Sequence, residues 1–120
     1  MGIDIQGCIE HRIAHGAPYI FHSEINLDRS DVFRYMGGDK APALFPYRGL
    51  SDDITPEARR IVSCIDYWAN GPVETNWGLS WLTLPELEQV KEAHGYDNLC
   101  DIIETMRGLV EPRLVFSFNN

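Results

Sequence analysis

The stretch RLVFSFNN, residues 113–120, constrains the fold more than any other part of the chain. Leu114, Phe116 and Phe118 alternate with Arg113, Val115 and Ser117, and a period of two is that of a strand with one buried face. So apolar a strand must be paired on at least one side, because a free edge beside large apolar side chains is a template for aggregation. The other end of the chain offers the partner. In MGIDIQGCIEHRI, Ile3, Ile5 and Ile9 recur at even spacing with Asp4, Gln6 and Glu10 between them, which also reads as a half-buried strand, and the two ends are expected to lie side by side. A second apolar stretch, Tyr19-Ile20-Phe21, returns through His15-Gly16-Ala17-Pro18, whose glycine and proline supply a turn, so a hairpin is predicted.

Helices fill the middle. Residues 28–37 read as a short one, capped by Asp28 or Ser30, with Val32, Phe33 and Met36 on one side and Gly37 at its end. Thr55 is placed to cap a longer helix with Pro56 at its first position. Ala58, Ile61, Val62, Ile65, Trp68 and Ala69 follow at spacings of three and four, which predicts a wide buried stripe ending at Asn70-Gly71-Pro72 and puts Trp68 in the core. Thr83-Leu84-Pro85-Glu86 matches a capping box, with Leu82 and Leu87 set to staple it. That helix starts at Leu84, turns Leu84, Leu87 and Val90 inward and ends at Gly95. Asp97 caps the last helix, with Leu99, Ile102, Ile103 and Met106 inward and Gly108 closing it. The expected fold is therefore α+β: an antiparallel sheet that includes the N- and C-terminal strands, with three or four helices packed on one face, in a single domain over 1–120.

Between the elements lie the candidate binding residues. Residues 37–55 carry two prolines, three glycines and no clear period, and long irregular connections in compact domains tend to be functional. Phe45, Tyr47 and Arg48 fall in that loop. Trp77 and Trp81 stand four apart just before the capping box, a spacing that puts both on one face of a strand or one turn of a helix. Tryptophan joins a large apolar area to a polar N–H and is enriched at binding hot spots, so these five residues form the candidate surface. Each also has a plain structural alternative: the aromatics as core or lid, Arg48 as a solvated or paired charge.

Chemistry is harder to find. His11, His15 and His22 can be drawn together with Glu10 and Asp4 as a metal site, but the His-x3-His spacing crosses a strand and turn, where four residues span too far. Cys8 with His11, or Ser80 with a histidine, makes a nucleophile–base pair on paper only. No nucleophile elbow, phosphate loop or dinucleotide fingerprint accompanies them. Asp52-Asp53 precede a helix start, where the helix dipole favours them. No catalytic residue, metal or cofactor is expected. Cys8, Cys64 and Cys100 are an odd number, far apart and set among apolar neighbours, which reads as buried free thiols in a reducing compartment.

Composition narrows the partners. The 120 residues are 44% hydrophobic and 23% charged, enough to bury a core without disulfides or metal. A formal charge of −8 repels phosphate backbones, and Arg59-Arg60 is the sole basic pair, so direct nucleic-acid binding is not expected. The opening residues hold no basic segment followed by an apolar run, and nowhere is there a span of about 18 apolar residues; a soluble, cytoplasmic protein with no membrane attachment is expected.

The opening MGIDIQG, the middle RGLSDDIT, the SWLTLPEL segment and the closing RLVFSFNN together resemble a family of small proteins of bacteriophage and bacterial genomes. Its members open with Met-Gly, an Asp between apolar residues and then His-Gly, and close with an arginine, an apolar strand and Phe-Asp-Asn. Gln6 stands where that histidine would be, and Asn119 where that aspartate would be. The resemblance implies no activity; had those two positions formed a metal or acid–base site in relatives, this chain has replaced both. Net acidity, which suits basic protein surfaces and hinders anionic ligands, favours a phage-type, non-enzymatic binding protein that inhibits a host defence factor by contact through an acidic and aromatic surface, and small anti-CRISPR proteins are similar in size and charge. Two other readings stand beside it: a small-molecule binder or sponge for a nucleotide signal, with Trp77, Trp81, Tyr47 and Arg48 around the base and phosphate, and an enzyme whose site the sequence hides. A homodimer through an edge strand is a cheap arrangement for any of them.

Overall fold

A computed structural model describes residues 4–27, 45, 47–63, 65–68, 71–74, 77–94 and 99–119. The two chain ends pair as their alternation predicts. Strand β1 (Asp4–Arg12) lies antiparallel to β2 (Tyr19–Leu27) on one side and to β6 (Val110–Asn119) on the other, and β5 (Trp77–Thr83) adds to the far side of β6. All pairings in this four-stranded sheet, ordered β2-β1-β6-β5, are antiparallel. The β1–β2 connection runs through His15 to Pro18 with Gly16 at φ +81°, a left-handed conformation that glycine adopts without a Cβ penalty. At the centre, Gly7 faces Phe116 and Ile25 in register. A Cβ there would stand 2.6 Å from the Val115 carbonyl oxygen, so the close approach of β1 to β6 requires the glycine.

Helices α1 (Pro56–Val62), α2 (Leu84–His94) and α3 (Cys100–Arg107) complete the α+β architecture. They are divided between the two faces of the sheet, which corrects the expectation of helices on one face. Ile5, Ile9, Leu114, Phe116 and Phe118 meet Leu87 and Val90 of α2 and Ile102, Ile103 and Met106 of α3 in one buried cluster. On the opposite face Cys8 and Val115 meet Ala58 and Val62 of α1. The terminal strand is consequently not half-buried. Every residue from Arg113 to Phe118 is buried, because α1 covers the side that its alternation assigns to solvent.

Local signals held at three helix ends. Thr55 caps α1, its hydroxyl accepting from the Ala58 amide at 3.1 Å, with Pro56 at the first position. Glu86 folds back onto the Thr83 amide at 2.9 Å, and the stapling pair Leu82 and Leu87 is buried in the same cluster. Gly108 closes α3 with its amide directed to the Thr105 carbonyl. The long helix after Thr55 is a correction: α1 stops at Val62, Ser63 is extended, and Ile65–Trp68 forms β3, paired antiparallel with β4 (Gly71–Glu74). The segment Ile61 to Trp68 is rich in β-branched and aromatic residues, which suit a strand. Spacings of three and four in a short apolar run do not separate the two states. Trp68 is thus a strand residue. Leu99 precedes the first turn of α3 and makes no side-chain cap hydrogen bond. The predicted helix over 28–37, together with Asp97, Gly95, Asn70 and Cys64, lies outside the described residues.

Candidate binding surface

Three of the five residues that the sequence puts forward, Phe45, Arg48 and Trp81, come together beside β5. The Arg48 amide donates to Ser80 Oγ at 3.0 Å, which ties the loop to the strand. Its guanidinium lies over the Trp81 ring, 4.4 Å from the centroid, and 5.8 Å from that of Phe45. Nη1 donates to Glu86 Oε1 at 2.7 Å and to the Trp81 carbonyl at 3.2 Å, while Nη2 meets Glu86 Oε2. This two-pronged contact is the strong form of an arginine–carboxylate pair. The capping box makes it: the Oε1 that receives Arg48 also accepts from the Thr83 amide and, at 3.0 Å, from the Thr83 hydroxyl. Arg48 first, and then Thr83, hold the Glu86 carboxyl below its ordinary pKa. Phe45 is half-buried against the α2–α3 side of the core. Tyr47 is 46% exposed, its ring 6.4 Å from that of Phe118. Trp77 belongs to β5 opposite Phe118, but a one-residue register shift lies between it and Ser80. The side chain of Trp77 lies outside the described residues.

Trp81 begins a row that the sequence reading missed. Across the α1 side of the sheet, cations and rings alternate. Arg48 lies over Trp81, Arg113 is 5.9 Å from Trp81 and 3.7 Å from Tyr19, and Arg12 is 4.2 Å from Tyr19. Each arginine in the row also has a carboxylate. Arg113 Nε donates to Glu10 Oε1 at 2.6 Å and its Nη1 to Asp53 Oδ1 at 3.0 Å. Arg12 Nε sits 2.6 Å from Glu111 Oε2 as an ion pair, without the alignment of a hydrogen bond. Glu10 and Arg113 face each other across β1 and β6, with side chains 0% and 4% exposed. The second oxygen of Glu10 accepts from the Thr55 amide at 2.7 Å, so a buried carboxylate in the sheet holds the residue that caps α1. Asp53 therefore does more than sit near a helix start. Its carboxyl is held below the ordinary range, first by the Ser51 hydroxyl and then by Arg113, at some cost from burial. The available signal was Cys8 and Val115: apolar residues at the polar phase of both strands mean that this phase is covered too, and that Glu10 and Arg113 between them are buried together.

Where β1 turns into β2, a shallow recess of about 380 Å³ is lined by Tyr19, Thr83, Leu84, Pro85, Glu111 and Pro112. Glu111 has φ +46°, in the left-handed region, at a shift of the β1–β6 register between Glu10 and Arg12. Its Oε1 meets Nδ1 of His15, a side chain 88% exposed. The histidines are thus spread out. His11 and His22 pack edge to face with centroids 5.1 Å apart, and partial burial, then His22, lower the pKa of His11. Among the described residues no group of three or more His, Cys, Asp or Glu is arranged to hold a metal. Burial, with Glu10 nearby, pushes the Cys8 thiol up to about 12, far from a thiolate nucleophile at neutral pH, and Ser80 Oγ is engaged by Arg48. Cys100 is half-buried.

No helix among the described residues is long and apolar enough to cross a membrane. No family model matches the chain, and comparison with curated proteins and with solved structures returns no match. What defines the molecule is its own geometry: an α+β protein whose sheet carries an arginine–aromatic row leading from Arg48 to a recess at the hairpin end.

Proposed function

We propose that the chain is a non-enzymatic binding protein that acts by contact with another protein through an acidic and aromatic surface, and that it is a phage-type counter-defence protein working on a host factor in the host cytoplasm. One observation carries the reading: every arginine in the row is already matched by a carboxylate. Arg48 is held by Glu86, Arg113 by Glu10 and Asp53, and Arg12 by Glu111. A nucleotide sponge needs cations free to meet phosphate, whereas the ionised side chain lining the recess is a carboxylate. With a net charge of −8, the field favours a basic partner surface over an anionic ligand. Tyr47, Ile13, Ile20 and Val110 supply exposed apolar area, and aromatic anchors of that kind dominate protein interfaces. The high pKa of the Cys8 thiol weighs against a cysteine nucleophile. Native mass spectrometry of the chain purified from a bacterial host tests the proposal. A stoichiometric host protein that is retained by the wild type and lost by Tyr47→Ala is the expected result. A co-purifying small molecule in its place would move the function to the nucleotide-signal reading.

A further inference from the structure

Resting on this protein-contact reading, we propose that the recess at the hairpin end of the sheet receives a lysine or arginine side chain of the partner, with Glu111 as its counter-ion. The walls fit the stem of such a side chain. Leu84, Pro85 and Pro112 offer apolar surface with Tyr19 beside them, and long basic residues lay their methylenes along such surfaces while the charged head stays at the rim. The head then finds Glu111, the one charged side chain among the described lining residues, inside a molecule whose net charge already attracts cations.

The backbone is bent to present that carboxylate. Glu111 adopts φ +46°, which residues with side chains rarely do, and the proline that follows restricts it further. The register shift at this point of β6 is a bulge, and bulges re-aim a side chain relative to the flanking strand. One oxygen of Glu111 faces Arg12, whose guanidinium also donates to the Ala17 carbonyl and is stacked on Tyr19; that pairing is built into the sheet. The other oxygen meets His15, which lies in the turn and is almost wholly exposed. A partner cation can therefore take the place of His15 without disturbing Arg12. Apolar surface continues along the chain on either side of the ion pair: Val110, which precedes Glu111 and pairs with Arg12, and Ile13, which follows Arg12, are 41% and 76% exposed.

The test uses N-acetyl-arginine N-methylamide as probe and its norvaline counterpart, which keeps the stem and lacks the charge, titrated into the isotope-labelled full chain while amide shifts are followed. The arginine probe is expected to move the Tyr19, Thr83, Leu84 and Glu111 amides saturably and the norvaline probe to leave them still. Glu111→Gln should weaken binding about fivefold, the scale of an exposed ion pair, and His15→Ala should strengthen it. Equal shifts from both probes, or undiminished binding to Glu111→Gln, would overturn the assignment. Should Glu111→Gln not fold, His15→Ala decides alone: binding unchanged or weaker removes the proposal. A recess that fails this test while the host complex persists overturns the basic-side-chain site and leaves the protein-contact reading in place.

Discussion

The two faces of β1 and β6 are built on different principles. On the α2–α3 face, Ile5, Ile9, Leu114, Phe116 and Phe118 bury large apolar side chains against helix residues of the same kind. On the α1 face the fully buried apolar groups are smaller, Cys8, Ala58, Val62 and Val115, with the larger Phe21, Leu50, Ile54, Ile61 and Trp81 only partly buried around them, and on the same face lie Glu10, Arg113 and Ser117, all buried. Ser117 Oγ donates to the Val62 carbonyl at 2.6 Å, so even the hydroxyl on this face reaches α1. Apolar burial is non-directional and supplies most of the folding free energy. A buried ion pair adds little net stability over an apolar pair of equal volume, but it is directional, and breaking one half of it is costly. One face therefore holds the molecule together, and the other fixes where Asp53 and Thr55 lie and, with Ser80 and Glu86, where the aromatic surface is presented.

The largest expected effect tests the first half of this contrast. Phe116→Ala removes a ring 1% exposed in the α2–α3 cluster and should cost about 3–5 kcal/mol, a large part of the stability of a domain this size. Urea denaturation that shows a loss under about 1 kcal/mol would mean that this face does not carry the fold. The second half is tested by a pair of variants. Glu10→Gln leaves the buried Arg113 with the half-exposed Asp53 as its remaining carboxylate and should cost about 3 kcal/mol, whereas the joint replacement of Glu10 and Arg113 by Leu and Met should cost about 1 kcal/mol, chiefly for the Thr55 amide that loses its acceptor. If the double variant is as unstable as the single one, the pair contributes net stability, and the contrast between the faces is wrong.

The smallest effect concerns pH. Glu86 has its pKa depressed below its ordinary 4.5, chiefly by Arg48. The sign follows: a carboxylate favoured in the folded state contributes stability that is fully present above pH 4.5 and lost as pH falls through the lower folded value. Melting curves in that acid window should show wild type losing about 1 kcal/mol more than Glu86→Gln, with the two differing by a constant amount near neutrality. Parallel acid curves would show that the Arg48–Glu86 contact is not formed in solution.

Much of the frame was legible in the chain, and for identifiable reasons. Strict alternation in two terminal segments specifies two strands, and short caps such as Thr83 to Glu86 specify helix starts, because both signals act within a few residues. The candidate surface was legible in part: Phe45, Arg48 and Trp81 converge, yet nothing local announces that Glu86 captures Arg48 from 38 residues away. The Glu10–Arg113 pair joins positions 103 residues apart, and a charged residue between apolar ones in a strand reads as solvent-facing until the second layer is known. The α1–β3 segment failed for another reason. Ile61, Val62, Ile65 and Trp68 suit a helix stripe and a strand alike, and it is the pairing with Gly71–Glu74, a tertiary fact, that selects the strand.

The central claim is that the buried carboxylate of Glu10 holds the start of α1 in place, and amide hydrogen exchange at Thr55 tests it most directly. In the wild type the Thr55 amide, which donates to Glu10 Oε2 at 2.7 Å, should be protected nearly as well as the buried Ile103 amide of α3, whose exchange is expected to require global unfolding. In Glu10→Gln, Thr55 should lose far more protection than Ile103 does. If Thr55 exchanges like an open loop in the wild type, or if both amides lose protection by the same amount in the variant, Glu10 is an ordinary core residue and the α1 face does not position the surface.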